Sequence, residues 1–205
     1  YNVILTNPPF GGEEERRVGE NYPFKTASTE AMAIQYVHRH LKKGGRCGII
    51  LPELDILFGG GALLSIRQEW LEKCNVHSII SLPAGAFAQM GAGIKTNLIF
   101  FDKTGPTKEI WFGEVYGKFT KRRKNISDLN LEDIFQMSKK KVISDSSWIV
   151  SIDELRSNGF DLTPKNPNAK KEAKLLSSSE TINAIEHNES EISRIVSTLK
   201  NLINQ

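Results

Sequence analysis

An asparagine, two prolines and an aromatic residue, Asn7-Pro8-Pro9-Phe10, stand directly after the apolar run Val3-Ile4-Leu5. Each has a separable chemical use. The Asn7 side-chain carbonyl and the Pro8 main-chain carbonyl are two acceptors that can take the two hydrogens of a conjugated amine. Such an amine is a poor nucleophile, because its lone pair is delocalised into the ring that carries it. Two acceptors that draw its hydrogens aside push the nitrogen toward tetrahedral geometry and aim the lone pair at an electrophilic methyl group. Pro8 and Pro9 stiffen that backbone, since each fixes its own φ and Pro9 also restricts Pro8. Phe10 offers a ring face on which a flat base can stack, worth about 1–3 kcal/mol. In an arbitrary loop the same four residues would be a rigid turn with a core phenylalanine. The preceding strand favours chemistry, because ligands of open α/β sheets bind outside the carboxyl ends of strands.

The elements that must position this segment alternate along the chain. Tyr1–Thr6 reads as an interior strand of a larger fold, because chain ends usually lie at the surface. Residues 27–42 carry Ala31, Ile34, Val37, His38 and Leu41 at helical spacing, with Ser28 or Thr29 as cap and Gly44-Gly45 as stop. Cys47–Pro52 has the continuous apolar pattern of a buried strand. Gly59-Gly60-Gly61 leads into a helix over about 63–73, strands follow at 76–82 and 96–102, and another is expected at 109–115. This alternation predicts an α/β fold with a mainly parallel sheet. Beyond residue 116 the pattern changes: a short helix is expected near 152–157, and 163–169 is a proline-bearing linker. From about Lys170 the chain reads as one long helix, with Ile185, Ile192 and Leu199 at seven-residue intervals beside Ile182, Ile195, Val196, Leu202 and Ile203. That stripe needs a partner, either its own domain or a helix of another chain.

Composition narrows the class. The chain has 205 residues, 39% hydrophobic and 25% charged, with a mean hydropathy of −0.33, which excludes a disordered or collagen-like chain. No apolar run approaches the roughly 20 residues of a membrane helix. Cys47 and Cys74 are too few for a disulfide framework or a closed zinc site and read as reduced thiols. His38, His40, His77 and His187 show no metal-ligand spacing, so no metal is expected. The net charge is only +3, but it is unevenly spread. Residues 116–174 hold 13 positive and 8 negative side chains, concentrated at Lys118, Lys121, Arg122, Arg123 and Lys124 and again at Lys139, Lys140 and Lys141. Such clusters track a phosphate backbone or simply face water.

These residues together resemble the modification (methyltransferase) subunit of type I restriction–modification systems, within the N6-adenine DNA methyltransferases. The resemblance rests on Val3–Phe10, on Leu41-Lys42-Lys43-Gly44-Gly45-Arg46 running into Ile49-Ile50-Leu51-Pro52, on Leu82–Phe87 and on Lys95–Phe101. Trp111-Phe112, Ser147-Trp148 and Gly159-Phe160-Asp161-Leu162 extend it to about residue 168. It implies the C-terminal half of a seven-stranded, Rossmann-like methyltransferase sheet, mixed but mostly parallel, followed by a helical tail. Residues 1–115 would belong to the catalytic domain, 116–168 to a basic extension and linker, and 169–205 to a long helix for subunit contact.

The implied methyl donor is S-adenosylmethionine and the implied substrate a flipped adenine of duplex DNA. Asn7 and Pro8 would hold the target amine, Pro9 would stiffen the segment and Phe10 would stack on the base. Phe87 is the candidate for a second aromatic against the base, with a core role as its alternative. Lys95, Lys121, Arg122, Arg123 and Lys124 are candidates for the DNA backbone. The resemblance further implies a specificity subunit bound through the C-terminal helix, a restriction subunit in some systems, and a cytoplasmic location in a bacterium or archaeon. The family's glycine-rich donor-binding turn, upstream of Asn-Pro-Pro-Phe in this motif order, is absent, so this chain is expected to be a C-terminal part that is inactive alone. The strand at 2–6 is then an exposed edge open to self-association. Two other readings stay open: a non-catalytic module that binds the specificity subunit, and a methyltransferase of an RNA base or a protein glutamine.

Overall fold

Strand β1 (Val3–Thr6) lies at one edge of a six-stranded sheet in the computed structural model. The structure describes residues 1–13, 16–87, 93–116, 129 and 131–169, and beyond these only 182, 189, 192, 194 and 196. The further strands are β2 (Arg46–Pro52), β3 (Asn75–Leu82), β4 (Thr96–Asp102), β5 (Glu109–Glu114) and β6 (Ser147–Ser151), in the spatial order β1-β2-β4-β3-β5-β6. The helices are α1 (Arg16–Gly19), α2 (Thr29–His40), α3 (Asp55–Phe58), α4 (Ala62–Lys73), α5 (Leu131–Lys140) and α6 (Ile152–Ser157).

The α/β class stands, but the sheet is not mainly parallel. β1 and β2 run parallel, as do β3 and β5, whereas β2–β4, β3–β4 and β5–β6 are antiparallel. The connections explain this. A helical crossover joins β1 to β2 and another carries the chain from β2 to β3, which keeps those three strands parallel. The link from β3 has no described helix, so β4 returns antiparallel and wedges between β2 and β3. A short loop then crosses the start of β3 to reach β5. Thr107, 3% exposed, pins that crossing: its hydroxyl donates to the Cys74 carbonyl at 2.8 Å and accepts the Val76 amide at 2.9 Å.

Residues 116–168 are more than an extension and linker. β6 pairs with β5, and Trp148 stacks on Phe112 with centroids 5.5 Å apart. The compact unit accordingly runs through Tyr1–Ala169. Lys170–Gln205 forms a second unit, in which Ile182, Glu189, Ile192, Arg194 and Val196 are helical. Ile182, Ile192 and Val196 are exposed. The remaining stripe positions Ile185, Ile195, Leu199, Leu202 and Ile203 lie outside the described residues.

Two apolar layers flank the sheet. On one face Cys47, Ile49, Leu51, Ile79, Ile99 and Phe101 meet Ala31, Ile34 and Val37 of α2 and Ile66, Trp70 and Leu71 of α4. On the other, Ile80, Leu82 and Trp111 meet Ile134 of α5. Buried Arg67 locks the first layer to the chain after α6. Its guanidinium donates to the carbonyls of Phe160, Ile56, Asp55 and Gly159 at 3.0, 3.2, 3.3 and 3.5 Å. No described helix is long and apolar enough to cross a membrane.

Burial also sets how the fold responds to pH. It pushes the Cys47 thiol up to about 12, with Cys74 adding to the shift, and the Cys74 thiol up to about 11. Burial lowers the His38 and His77 imidazoles, the former with help from Lys103. A raised thiol gives stability that is complete below its unfolded value of about 8.5 and fades as pH climbs toward the folded value. A lowered imidazole gives stability that is complete above its unfolded value of about 6.5 and is lost as pH falls through it. Urea midpoints are therefore expected to plateau between about pH 7 and 8.5 and to decline on both sides.

Candidate functional site

β1 delivers the Asn-Pro-Pro-Phe segment to the carboxyl edge of the sheet, one residue beyond the Thr6–Ile49 pair. Asn7 and Pro9 are exposed, Pro8 is buried and Phe10 is half-buried. Neither proline has an amide hydrogen, so backbone donors must hold this segment from its flanks. Downstream, Gly11 adopts φ +64°, a conformation that a Cβ would strain. Its amide donates to the carboxylate of Glu30. The Gly12 carbonyl accepts the Thr29 amide at 3.1 Å, and Glu13 bridges Ser28 in antiparallel fashion. A Cβ on Gly12 would come within 2.7 Å of the Thr29 hydroxyl.

The start of α2 is the other half of this anchor. Ser28 is its N-cap, accepting the Ala31 amide at 3.3 Å and donating to the Glu30 carboxylate at 3.0 Å. The sequence reading placed the cap but missed Glu30, which is 3% exposed. Its only signal was a carboxylate in the first turn of a helix, a common feature on dipole grounds alone.

The ring of Phe87, beyond β3, meets the ring of Phe10, with centroids 5.7 Å apart and planes at 88°. Phe87 also packs against the layer of Ile80, Leu82, Trp111 and Ile134. The two candidate aromatics are therefore brought together, although as an edge-to-face pair. Two parallel faces sandwiching a base would stand about 7 Å apart, so no base fits between the rings as they are placed.

Lys95 is exposed and immediately precedes β4. Because β4 starts opposite Pro52 and Leu82, Lys95 shares the carboxyl edge with Asn7, about 10 Å along the sheet at two strand spacings. Its carbonyl accepts the Glu53 amide at 2.8 Å. The other backbone candidates, Lys121, Arg122, Arg123 and Lys124, lie outside the described residues.

Several concavities adjoin these elements among the described residues. A groove of about 400 Å³ abuts Asn7 and is otherwise lined by Leu5, Thr6, Gly48, Ile49, Ile50, Leu98 and Phe100. A second, about 470 Å³, includes Lys95, Glu53, Ser81, Asn97 and Trp148. Within it Asn97 Nδ2, Ser81 Oγ and Trp148 Nε1 have no hydrogen-bond partner among the described residues. A larger one, about 650 Å³, runs from Arg46, Asn75 and Asp102 to Leu5, Gly48 and Phe100, which also line the groove beside Asn7.

Comparison with known proteins gives the family. The profile of the N-6 DNA Methylase family matches residues 1–175. The chain belongs to that family. Among N-6 DNA methylases it is similar to the type I restriction enzyme EcoEI methylase subunit of Escherichia coli, at 36% identity over 180 residues, 81% of this chain and 36% of the relative. A solved chain from work on complex assembly and conformational transition of the type I R-M system superposes with a TM-score of 0.75 at 36% identity. That match covers 99% of this chain and 45% of the other. A modification subunit of a type I restriction enzyme from Vibrio vulnificus gives 0.73 at 33% identity, covering 82% and 38%. The chain thus spans between about a third and a half of the length of these relatives.

The Phe10–Phe87 contact has a measurable energy. Phe10→Ala, Phe87→Ala and the double variant, compared by urea unfolding, are expected to give a coupling of about 0.5–1.5 kcal/mol. Strict additivity would mean that the rings do not meet in solution.

Proposed function

We propose that this chain supplies the amine-positioning part of an adenine-N6 DNA methyltransferase working within a type I restriction–modification enzyme. The carrying observation is Asn7-Pro8-Pro9-Phe10 at the carboxyl end of β1, clamped from behind by the start of α2 and met by Phe87. In this reading an adenine leaves the duplex, and its exocyclic amine donates one hydrogen to the Asn7 side-chain carbonyl and one to the Pro8 carbonyl. The ring of Phe10 stacks on the base, and Phe87 supports that ring or turns aside to take the second face. Lys95 and the 121–124 cluster face phosphates, and the C-terminal segment meets the specificity subunit. The open edge of β1 is a second place for association, since Leu5 is 80% exposed.

In this reading the S-adenosylmethionine cradle lies largely outside the described residues. The groove beside Asn7 is apolar and holds no carboxylate for ribose hydroxyls. Gly44-Gly45 sits before β2, at the other edge of the sheet. What these residues do is therefore confined to the amine: they bind it, fix its plane and expose its lone pair. Proton loss after the transfer needs no dedicated base, because an N-methylated cationic amine is strongly acidic.

Two measurements test this. In the assembled enzyme that carries this chain, Asn7→Ala is expected to lower kcat for N6-methyladenine formation by about 100-fold or more, by analogy with loss of one transition-state hydrogen bond. Affinity for DNA should stay within a few-fold, and undiminished transfer would overturn the reading. Calorimetric titration of S-adenosylmethionine into the 205-residue chain alone is expected to show no saturable binding. One-site micromolar binding would show that a donor pocket exists here.

A further inference from the structure

We propose that Glu30 is a positioning residue for the Asn7–Phe10 segment. This inference rests on reading that segment as the amine-binding one. With Thr6 held in the β1–β2 ladder and φ fixed at Pro8 and Pro9, Pro8 is further confined to extended backbone by the proline after it. The torsions that place the Phe10 ring lie between Pro9 and Gly11, and those of Asn7, which aim the Pro8 carbonyl, are constrained when the chain is held on both sides of the segment. They are settled only if the chain is caught again at Gly11, the first glycine after two residues that cannot donate. Glu30 makes that catch, accepting the Gly11 amide on one carboxylate oxygen and the Ser28 hydroxyl on the other.

Three features suit Glu30 to the task. It is 3% exposed, so its carboxylate is shielded from water although Gly11 lies at the surface. It stands in the first turn of the twelve-residue α2, where the helix dipole favours a negative charge. Its carboxylate is shared between the loop and the helix cap, so the loop inherits the rigidity of the first turns of α2, whose Ala31 and Ile34 are packed against the sheet. A charge-assisted hydrogen bond is about twice as strong as a neutral one, and a buried carboxylate left without donors is costly. Glu30 touches neither the base nor the reacting atoms; it acts through Gly11.

The test compares wild type with Glu30→Gln, Glu30→Ala and, as a control for stability alone, Val37→Ala on the same helix. In the 205-residue chain, Glu30→Ala is expected to speed Gly11 amide exchange about tenfold or more beyond any global change and to weaken the Phe10–Phe87 ring cross-peak. In the assembled enzyme it should lower kcat about 10–100-fold with KM for DNA within about threefold, the signature of a lost alignment. Glu30→Gln keeps an acceptor of the same shape and should recover kcat to within about fivefold of wild type. Val37→Ala should leave both Gly11 exchange and kcat within about twofold, whatever it does to the melting temperature. If Glu30→Ala changes exchange and kcat no more than Val37→Ala does, the proposal is overturned. If the wild-type enzyme forms no N6-methyladenine, the functional reading fails while the exchange and cross-peak measurements still decide what Glu30 does.

Discussion

Two adjacent prolines remove two hydrogen-bond donors from the segment that most needs a fixed shape. A loop of that kind cannot stabilise itself through its own backbone, so its geometry is imposed from both sides. Upstream, Thr6 is held by the β1–β2 ladder. Downstream, Gly11, Gly12 and Glu13 are tied to Glu30, Thr29 and Ser28. The demand on the rest of the fold is then specific: the start of α2 must sit beside the end of β1, and both must rest on the same sheet. The apolar face of α2 against the first layer meets it.

The sheet order does the remaining work of assembly. Because β1, β2 and β3 are parallel and β4 runs back between them, the loops after β1 and β3 and the residue before β4 all emerge at one edge. Phe10 is far from Phe87 and Lys95 in the chain yet shares that edge with them. The inserted antiparallel strand sets their spacing, since it places two strand widths between Asn7 and Lys95. The larger groove, which reaches from Arg46 and Asp102 to Leu5, Gly48 and Phe100, shares those last three residues with the groove beside Asn7.

Much of this could be read from residue order, and the failures have physical causes. The strand 96–102 and the helix 152–157 coincide with their expected limits, because each pairs a clear hydrophobic period with strong boundary residues. The sheet is mixed where the sequence predicts mainly parallel strands because a parallel and an antiparallel buried strand look alike locally. β6 was missed because Ser147–Ser151 is short and contains a single tryptophan whose partner, Phe112, lies 36 positions earlier. Glu30 was invisible for a similar reason, as its bond to Gly11 spans 19 residues and exists only once α2 docks. Asn7 and Phe10 could be proposed from residue order because the chemistry assigned to them lies in one contiguous tetrapeptide.

The most direct test is a structure of the assembled enzyme with an extrahelical adenine at its site. The account predicts the exocyclic nitrogen within about 3.2 Å of both the Asn7 side-chain oxygen and the Pro8 carbonyl, with the base stacked on Phe10. An adenine whose amine points away from both oxygens, for instance into the cavity beside Lys95 and Asn97, would contradict it.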